Sequence, residues 1–227
     1  MKLVFAGFES ALPILRDKVN VLRIEDKSLY ARCSVSMVRG FADDVPEPAS
    51  FFSEDGKELN AGKILFNSGD VLMMDLNDKR IVTQAIKALL TRVGTDAALM
   101  SAIEELNYQI EDIFGSEMSQ MAGDYRFSLD WGNDRYLKQL GFCVDDALQA
   151  TLHDRLLLYL RVMSDLFPDY VISFCNLRTY LTDEQYNEFC RTAVSLQLRI
   201  LSFEQGCSSL FTHLENGLFV DVNYLEY

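Results

Sequence analysis

Apolar and polar positions fall into distinct periods along this chain, and the period changes from one region to the next. Residues 2–8 and 19–25 are short apolar segments of β character, separated by Pro13. Lys27–Gly40 reads as a helix with Asp26 or Ser28 as its cap. Leu29, Cys33, Val35 and Met37 or Val38 would turn inward, and Gly40 would end it. ADDVPEPAS (42–50) is a proline-containing turn, and Asp55–Gly56 sits between two short strand-like pieces, a hairpin signal. Residues 62–76 supply another strand or two, broken at Gly69–Asp70. From Asp70 the pattern DVLMMDLNDKRIVTQAIKALL passes from a strand directly into a helix capped by Asp75 or Asn77.

That helix repeats apolar residues at Ile81, Val82, Ala85, Ile86, Leu89 and Leu90, a helical stripe. Residues 95–122 form a second helix. Leu99, Ile103, Leu106, Ile110 and Ile113 or Phe114 lie on one side, and Glu104, Glu105, Glu111 and Asp112 on the other. Gly123 to Gly132 is a break, Asn133–Gly141 a short helix, and Asp145–Phe167 a long helix stopped by Pro168. Then Tyr170–Cys175 and Leu198–Phe203, two apolar runs, flank a capped helix pattern. This strand–helix–strand unit predicts two parallel strands in a buried sheet. Strand patterns thus occupy both ends and helices the middle. The fold class expected is α/β, with an α/β head over residues 1–76 and 147–227 and a helical domain over 77–146.

The chain has 227 residues, enough for a proper core. Half are hydrophobic and 24% charged, a globular balance. No apolar run reaches the roughly 18 residues of a membrane span, and Glu9 interrupts the weak N-terminal apolar stretch, so the cytoplasm is the expected compartment. The five cysteines are scattered, without a C-x-x-C pair, which argues for structural roles over zinc or disulfides. The net charge of −13 changes the picture most. Residues 1–92 are neutral, with 13 basic and 13 acidic side chains. Residues 93–227 hold 8 basic against 21 acidic, and Arg126 is the one base within 93–134. A nucleic-acid surface would have to be local and drawn mainly from the first 92 residues.

Familiar catalytic patterns are missing. Gly56–Lys57 and Gly62–Lys63 are the only Gly-Lys pairs, and neither has the upstream glycine or the following Ser/Thr of a phosphate loop, so ATP is not expected to bind. His153 and His213 are isolated, without a nucleophile elbow. VLMMDLND could place Asp75 as a strand-end nucleophile, but the second carboxylate of that chemistry is replaced by Asn77, and helix capping explains both residues. Glu117, Asp124, Asp130 and Asp134 surround the glycine break, where loop oxygens and carboxylates could hold calcium or simply form a solvated acidic face.

Five segments in order carry a resemblance: NVLRIEDKSLYARCSVSMVRG, DVLMMDLNDKRIVTQAIKALL, DRYLKQLGF, FCNLRTYLTDEQYNEF, and LRILSFEQ with GLFVDVNYLEY. Together they resemble the type II-A CRISPR-associated spacer-acquisition proteins, the Csn-two family. That resemblance implies a nucleotide-hydrolase-like α/β head without a working phosphate loop, interrupted by a helical leg. It implies a non-catalytic homotetrameric ring that threads double-stranded DNA ends, supported by calcium, working with the integrase proteins and the guide-RNA nuclease. Asp124 and Asp130, with Asp134, match the family's calcium region, which is denser in carboxylates than YRFSLDWGND. The DNA-facing cations expected are Lys57, Lys63, Arg23 and Lys27, near strand ends of the neutral N-terminal part, with Arg32, Arg39, Lys79 and Arg80 next. The alternatives are a phosphate-handling enzyme using Asp75 and an acidic protein–protein scaffold.

Overall fold

The computed structural model describes residues 1–41, 44–123, 133–145 and 151–227. Its strands are β1 (Lys2–Phe5), β2 (Leu12–Pro13), β3 (Val19–Ile24), β4 (Ala49–Phe52), β5 (Glu58–Leu59), β6 (Leu65–Asp70), β7 (Val171–Cys175), β8 (Arg199–Gln205) and β9 (Glu215–Val220). Its helices are α1 (Lys27–Val38), α2 (Ala61–Ile64), α3 (Lys79–Gly94), α4 (Ala97–Met118), α5 (Asn133–Gln139), α6 (Leu152–Leu166) and α7 (Asp183–Ser195). Two compact units result: Met1–Asp75 with Asp146–Tyr227, and Leu76–Asp145. Among the described residues no helix is long and apolar enough to cross a membrane.

The first unit is built on a five-stranded sheet in the order β6-β7-β8-β3-β9, with every pairing parallel. β7 and β8 are neighbours, from Val171 opposite Arg199 to Cys175 opposite Phe203. This is the pair expected from the two apolar runs around a helix. Every residue of β3 and β7 is buried, because both faces of the sheet are covered. On one face Leu22, Ile24, Leu201 and Phe203 pack with Leu29, Cys33 and Met37 of α1 and with the antiparallel sheet β2-β1-β4-β5 through Phe5 and Phe51. On the other, Phe174 meets Tyr159 of α6 edge-on at 5.8 Å and Phe189 of α7 at 6.0 Å.

Local chemistry sets the boundaries. Asp26 is the α1 cap: its carboxylate accepts from the Leu29 N–H at 2.7 Å. Thr182 and Gln185 close a reciprocal capping box on α7. The Asp55–Gly56 hairpin forms, with Phe52 opposite Glu58. Following β9, Phe219 and Tyr227 exchange backbone hydrogen bonds, and the Glu226 carboxylate accepts from the N–H groups of Glu9 and Ser10 at 2.7 and 2.6 Å. The tail thereby ties an edge of the large sheet to a turn of the small one.

Several boundaries differ from expectation. Val71–Met73 is a 3-10 turn and not strand, because Gly69 takes a positive φ of 68° and the Asp70 carboxylate accepts from the Leu72 N–H at 2.9 Å. The cap of α3 is Asp78, not Asp75 or Asn77. Helix α6 begins at Leu152, where Thr151 caps it, and not at Asp145. On α1 the inward set is Leu29, Cys33, Ser36 and Met37, so Val35 and Val38 are exposed.

The second unit consists of α3, α4 and α5. Asn77 joins its two ends: Val144 N–H donates to Asn77 Oδ1 at 2.7 Å, and Asn77 Nδ2 donates back to the Val144 carbonyl at 3.3 Å. Ile81 and Ile86 of α3 are buried. No side chain of α4 is fully buried, and Leu99, Leu106, Ile110, Ile113 and Phe114 of its apolar side are exposed.

Candidate nucleic-acid interface

Parallel α/β sheets bind ligands beyond the carboxyl ends of their strands, where connections leave in opposite directions. Here that point lies between β3, which leads to β6, and β8, which leads past β3 to β9. It is closed by the chain itself. Gly206 N–H donates to the Ile24 carbonyl at 3.1 Å, and Gln205 Nε2 to the Glu25 carbonyl at 3.2 Å. The first turn of α1 is held by Asp26. An incoming phosphate would meet the carboxylates of Glu25 and Asp26 where other folds of this class offer free N–H groups.

Next to it, Tyr30 Oη donates to Asn176 Oδ1 at 2.6 Å, and Asn176 Nδ2 donates to Asp70 Oδ2 at 2.8 Å. Asn176 has φ of 59°, a left-handed conformation asparagine tolerates. Burial pushes the Tyr30 hydroxyl well up and the Cys175 thiol up to about 11, so both stay protonated at neutral pH. Burial also pushes Cys33 and Cys190 up to about 12. Those three cysteines are core residues, whereas Cys143 and Cys207 are exposed, against the expectation of structural roles for all five.

Arg23, one of the expected DNA-facing cations, is buried and bonded within the chain. It lies inside, 5% exposed, at the carboxyl half of β3. Its Nη1 donates to the carbonyls of Ser208 and Leu210 at 2.8 and 2.7 Å, and its guanidinium lies 4.6 Å over the Phe211 ring. Glu215 Oε1 sits 3.6 Å from Nη2. The same carboxylate accepts from Tyr186 Oη at 2.8 Å and lies 3.4 Å from Arg178. Glu204, also buried, accepts from Ser202 Oγ and from the Arg178 N–H. Period-2 alternation puts Arg23 on the face of Val19 and Val21, which α7 covers, so a phosphate could not reach it.

Glu204 makes this cluster pH-dependent. Burial raises its carboxyl above the ordinary 4.5, although its hydrogen bonds and the Arg23 charge oppose the shift. A raised folded value means that the unfolded chain releases the proton first. The contribution of Glu204 to stability is therefore full below about pH 4.5, declines as pH rises past it, and levels off once the folded carboxyl ionises. Glu204→Gln should flatten that decline in a series of melting temperatures from acid to neutral pH. An unchanged slope would assign it to other groups.

The remaining expected cations are exposed but dispersed. Lys57 is in the β4–β5 turn among Glu54, Asp55 and Glu58, so its surroundings are acidic. Lys63 is on the short α2, and Lys27 opens α1 directly after Glu25 and Asp26. Of the second set, Arg32 is taken up by Glu47 at 2.6 Å, while Arg39 is exposed. Asp124 and Asp130 lie outside the described residues, and Asp134 falls in α5, its side chain likewise undescribed. Among the described residues no group of three metal-ligating side chains forms. Asp75 is exposed and five residues beyond the end of β6, so it does not stand at a strand end as a nucleophile of that type would. His153 is buried near Glu188 and His213 is exposed.

Positive charge is most concentrated on α3. Lys79, Arg80, Lys87 and Arg92 are all exposed, and no acid occurs between Lys79 and Gly94. At its start Arg80 Nε lies 3.2 Å from the cap carboxylate of Asp78. Arg135 and Lys138 of α5 are exposed too. Thr83, Lys87, Thr91 and Lys138 surround an open groove of about 420 Å³ floored by Ile86 and Leu90. Lys79 and Arg80 belong to the second expected set; Lys87, Arg92, Arg135 and Lys138 belong to neither. Charge counted element by element points to them, since α4 carries no base and α3 no acid.

The chain is similar in structure to Stu0660 of Streptococcus thermophilus, with a TM-score of 0.64 and 14% identity over 97% of this chain and 74% of that one. The likeness establishes the fold: an α/β head with a helical region. An ABC-transporter ATP-binding protein, provisionally so assigned, from Pyrococcus furiosus aligns at a TM-score of 0.41 with 8% identity over 96% and 97%, a level that carries no argument. No family model matches the chain, and no curated protein matches its sequence.

Proposed function

We propose that this protein is a non-catalytic, sequence-independent binder of double-stranded DNA ends. It works as a homotetrameric ring that assists CRISPR spacer acquisition in antiviral defence. One observation carries the DNA part of the reading: in a chain of net charge −13, α3 presents four exposed cations and no acid. Four copies would multiply those contacts, and phosphate contacts carry no sequence preference. The ordered resemblance supports the ring, the CRISPR role and the integrase and nuclease partners. Calcium at Asp124, Asp130 and Asp134 is supported by the resemblance alone. The carboxylates at the strand ends argue against a nucleotide substrate.

Linear duplexes should shift in a gel assay and covalently closed circles should bind poorly, because a ring loads over an end. Lys87→Glu with Arg92→Glu should weaken binding by about tenfold or more. It should also make the salt dependence shallower, by about 0.9 for each phosphate the protein no longer neutralises. Lys57→Glu with Lys63→Glu should do less, given the acids around Lys57. The assay is run with millimolar calcium and with chelator. Failure to bind linear duplex at low salt in either condition would overturn the function and leave the acidic scaffold as the better reading.

A further inference from the structure

The groove beside α3 offers more than a row of charges. Among the described residues it is lined by Thr83, Ile86, Lys87, Leu90 and Thr91 of α3 with Lys138 of α5, around about 420 Å³, and none of these is acidic. Side chains four residues apart on a helix share a face, so α3 carries two rows here. Lys79, Thr83, Lys87 and Thr91 form the outer row, and all four are exposed. Val82, Ile86 and Leu90 form the row beside it; Ile86 is buried, and Val82 and Leu90 are half-buried. Thr91 donates its hydroxyl proton to the Lys87 carbonyl at 2.9 Å, inside its own helix. The groove therefore has a cationic rim and an apolar floor.

Phosphates alone need the rim and gain nothing from the floor. A ligand that matches both has an anionic backbone and a flat, weakly polar body, which is the chemistry of a nucleotide. The bases of an intact duplex are stacked and paired and cannot enter such a groove. A base that is already unpaired, as at an overhanging or frayed end, enters without the cost of opening a pair. A cationic partner is disfavoured by the rim. An acidic peptide bearing an apolar side chain would also fit the rim and floor, and the test below separates it.

We propose that this groove holds an unpaired base at the end of a bound DNA strand, with Lys79 and Lys87 on the flanking phosphates. The proposal rests on the DNA reading above, and blunt-duplex binding, measured alongside, tells the two failures apart.

The test is fluorescence anisotropy on the full chain at fixed salt. Linear duplexes of the same core sequence end blunt, in a short unpaired 3′ or 5′ tail, or in the same tails made of abasic sugars. A tail and its abasic counterpart carry the same phosphates, so their difference reads the base and not the charge. A tail of at least one polarity should bind about fivefold or more tighter than its abasic counterpart. Leu90→Gln keeps the charge and makes the floor polar, and should erase that ratio. Thr83→Met fills the groove from an exposed position and should erase it too. Equal affinity for natural and abasic tails of both polarities, with duplex binding present, overturns the proposal and leaves the groove to an acidic peptide. So does a ratio that survives both variants at parental helix content by circular dichroism. If Leu90→Gln loses helix content, Thr83→Met alone decides. Failure to bind any of the duplexes overturns the DNA reading and this proposal with it.

Discussion

Arg23→Ala should lower the free energy of unfolding by about 3–5 kcal/mol, the loss expected when one partner of a buried charge pair is removed. The guanidinium has a side-chain exposure of 6%, and that of Glu215 is zero. Arg23 holds the 208–210 carbonyls, stacks on Phe211 and neutralises part of the Glu215 charge. Its Nη2 has no hydrogen-bond partner among the described residues and faces Glu215 at 3.6 Å, so that contact is Coulombic and not a formed hydrogen bond. Alanine would leave two loop carbonyls unpaired and Glu215 dependent on Arg178 and Tyr186. Arg23→Lys keeps the charge but cannot fork between two carbonyls, and should fall between parent and alanine. Urea unfolding checks this. A loss below about 1 kcal/mol in the alanine variant would show that the cluster relaxes around the gap.

Phe174→Ala should cost a similar amount, about 3–5 kcal/mol, by a different route. Phe174 is fully buried in β7, and its ring meets Tyr159 and Phe189 edge-on, one from each covering helix. Nothing polar is lost there; the cost is transfer free energy plus a cavity between α6, α7 and the sheet. Against a typical total of 5–15 kcal/mol, either change leaves the head marginal. Phe174→Leu should recover much of the loss. If alanine and leucine unfold at the same urea concentration, the site closes around the gap.

The parts of the fold legible in the sequence are those where one local signal dominates. Val171–Cys175 and Leu198–Phe203 are continuous apolar runs with a capped helix between them, and no other element of that length fits. Asp55–Gly56 and Gly40 need only backbone stereochemistry. Legibility fails where two signals compete. VLMM looks like a strand until Gly69 and the Asp70 side chain turn the backbone into a 3-10 turn. Asp75, Asn77 and Asp78 can all cap a helix, and position alone selects Asp78. On α4 the periodicity marks an apolar face but cannot say whether the chain itself covers it.

The candidate site is less legible than the fold. Arg23 reads as a loop cation at a strand end, because its partner Glu215 is 192 positions away and only the sheet brings them together. Lys57 and Lys63 look favourable when charge is summed over the first 92 residues. Resolved by element, the balance moves to α3, a helix with four cations and no acid of its own.

The position of β3 has a consequence for how the protein is made. It is the first parallel strand to leave the ribosome, yet it sits between the last two. Asn20 pairs opposite Leu201, and its side chain bonds the Ile200 carbonyl, 180 positions later. Until β8 and β9 emerge, the apolar segment Val19–Ile24 has no native neighbour to pair with. Contacts of such high order make folding slow and leave a bare strand open to aggregation meanwhile. The helices of Leu76–Asp145 contact one another over short stretches of sequence and can form during that wait. A nascent chain stalled before β8 should therefore show helical protection in the middle unit and none in the head.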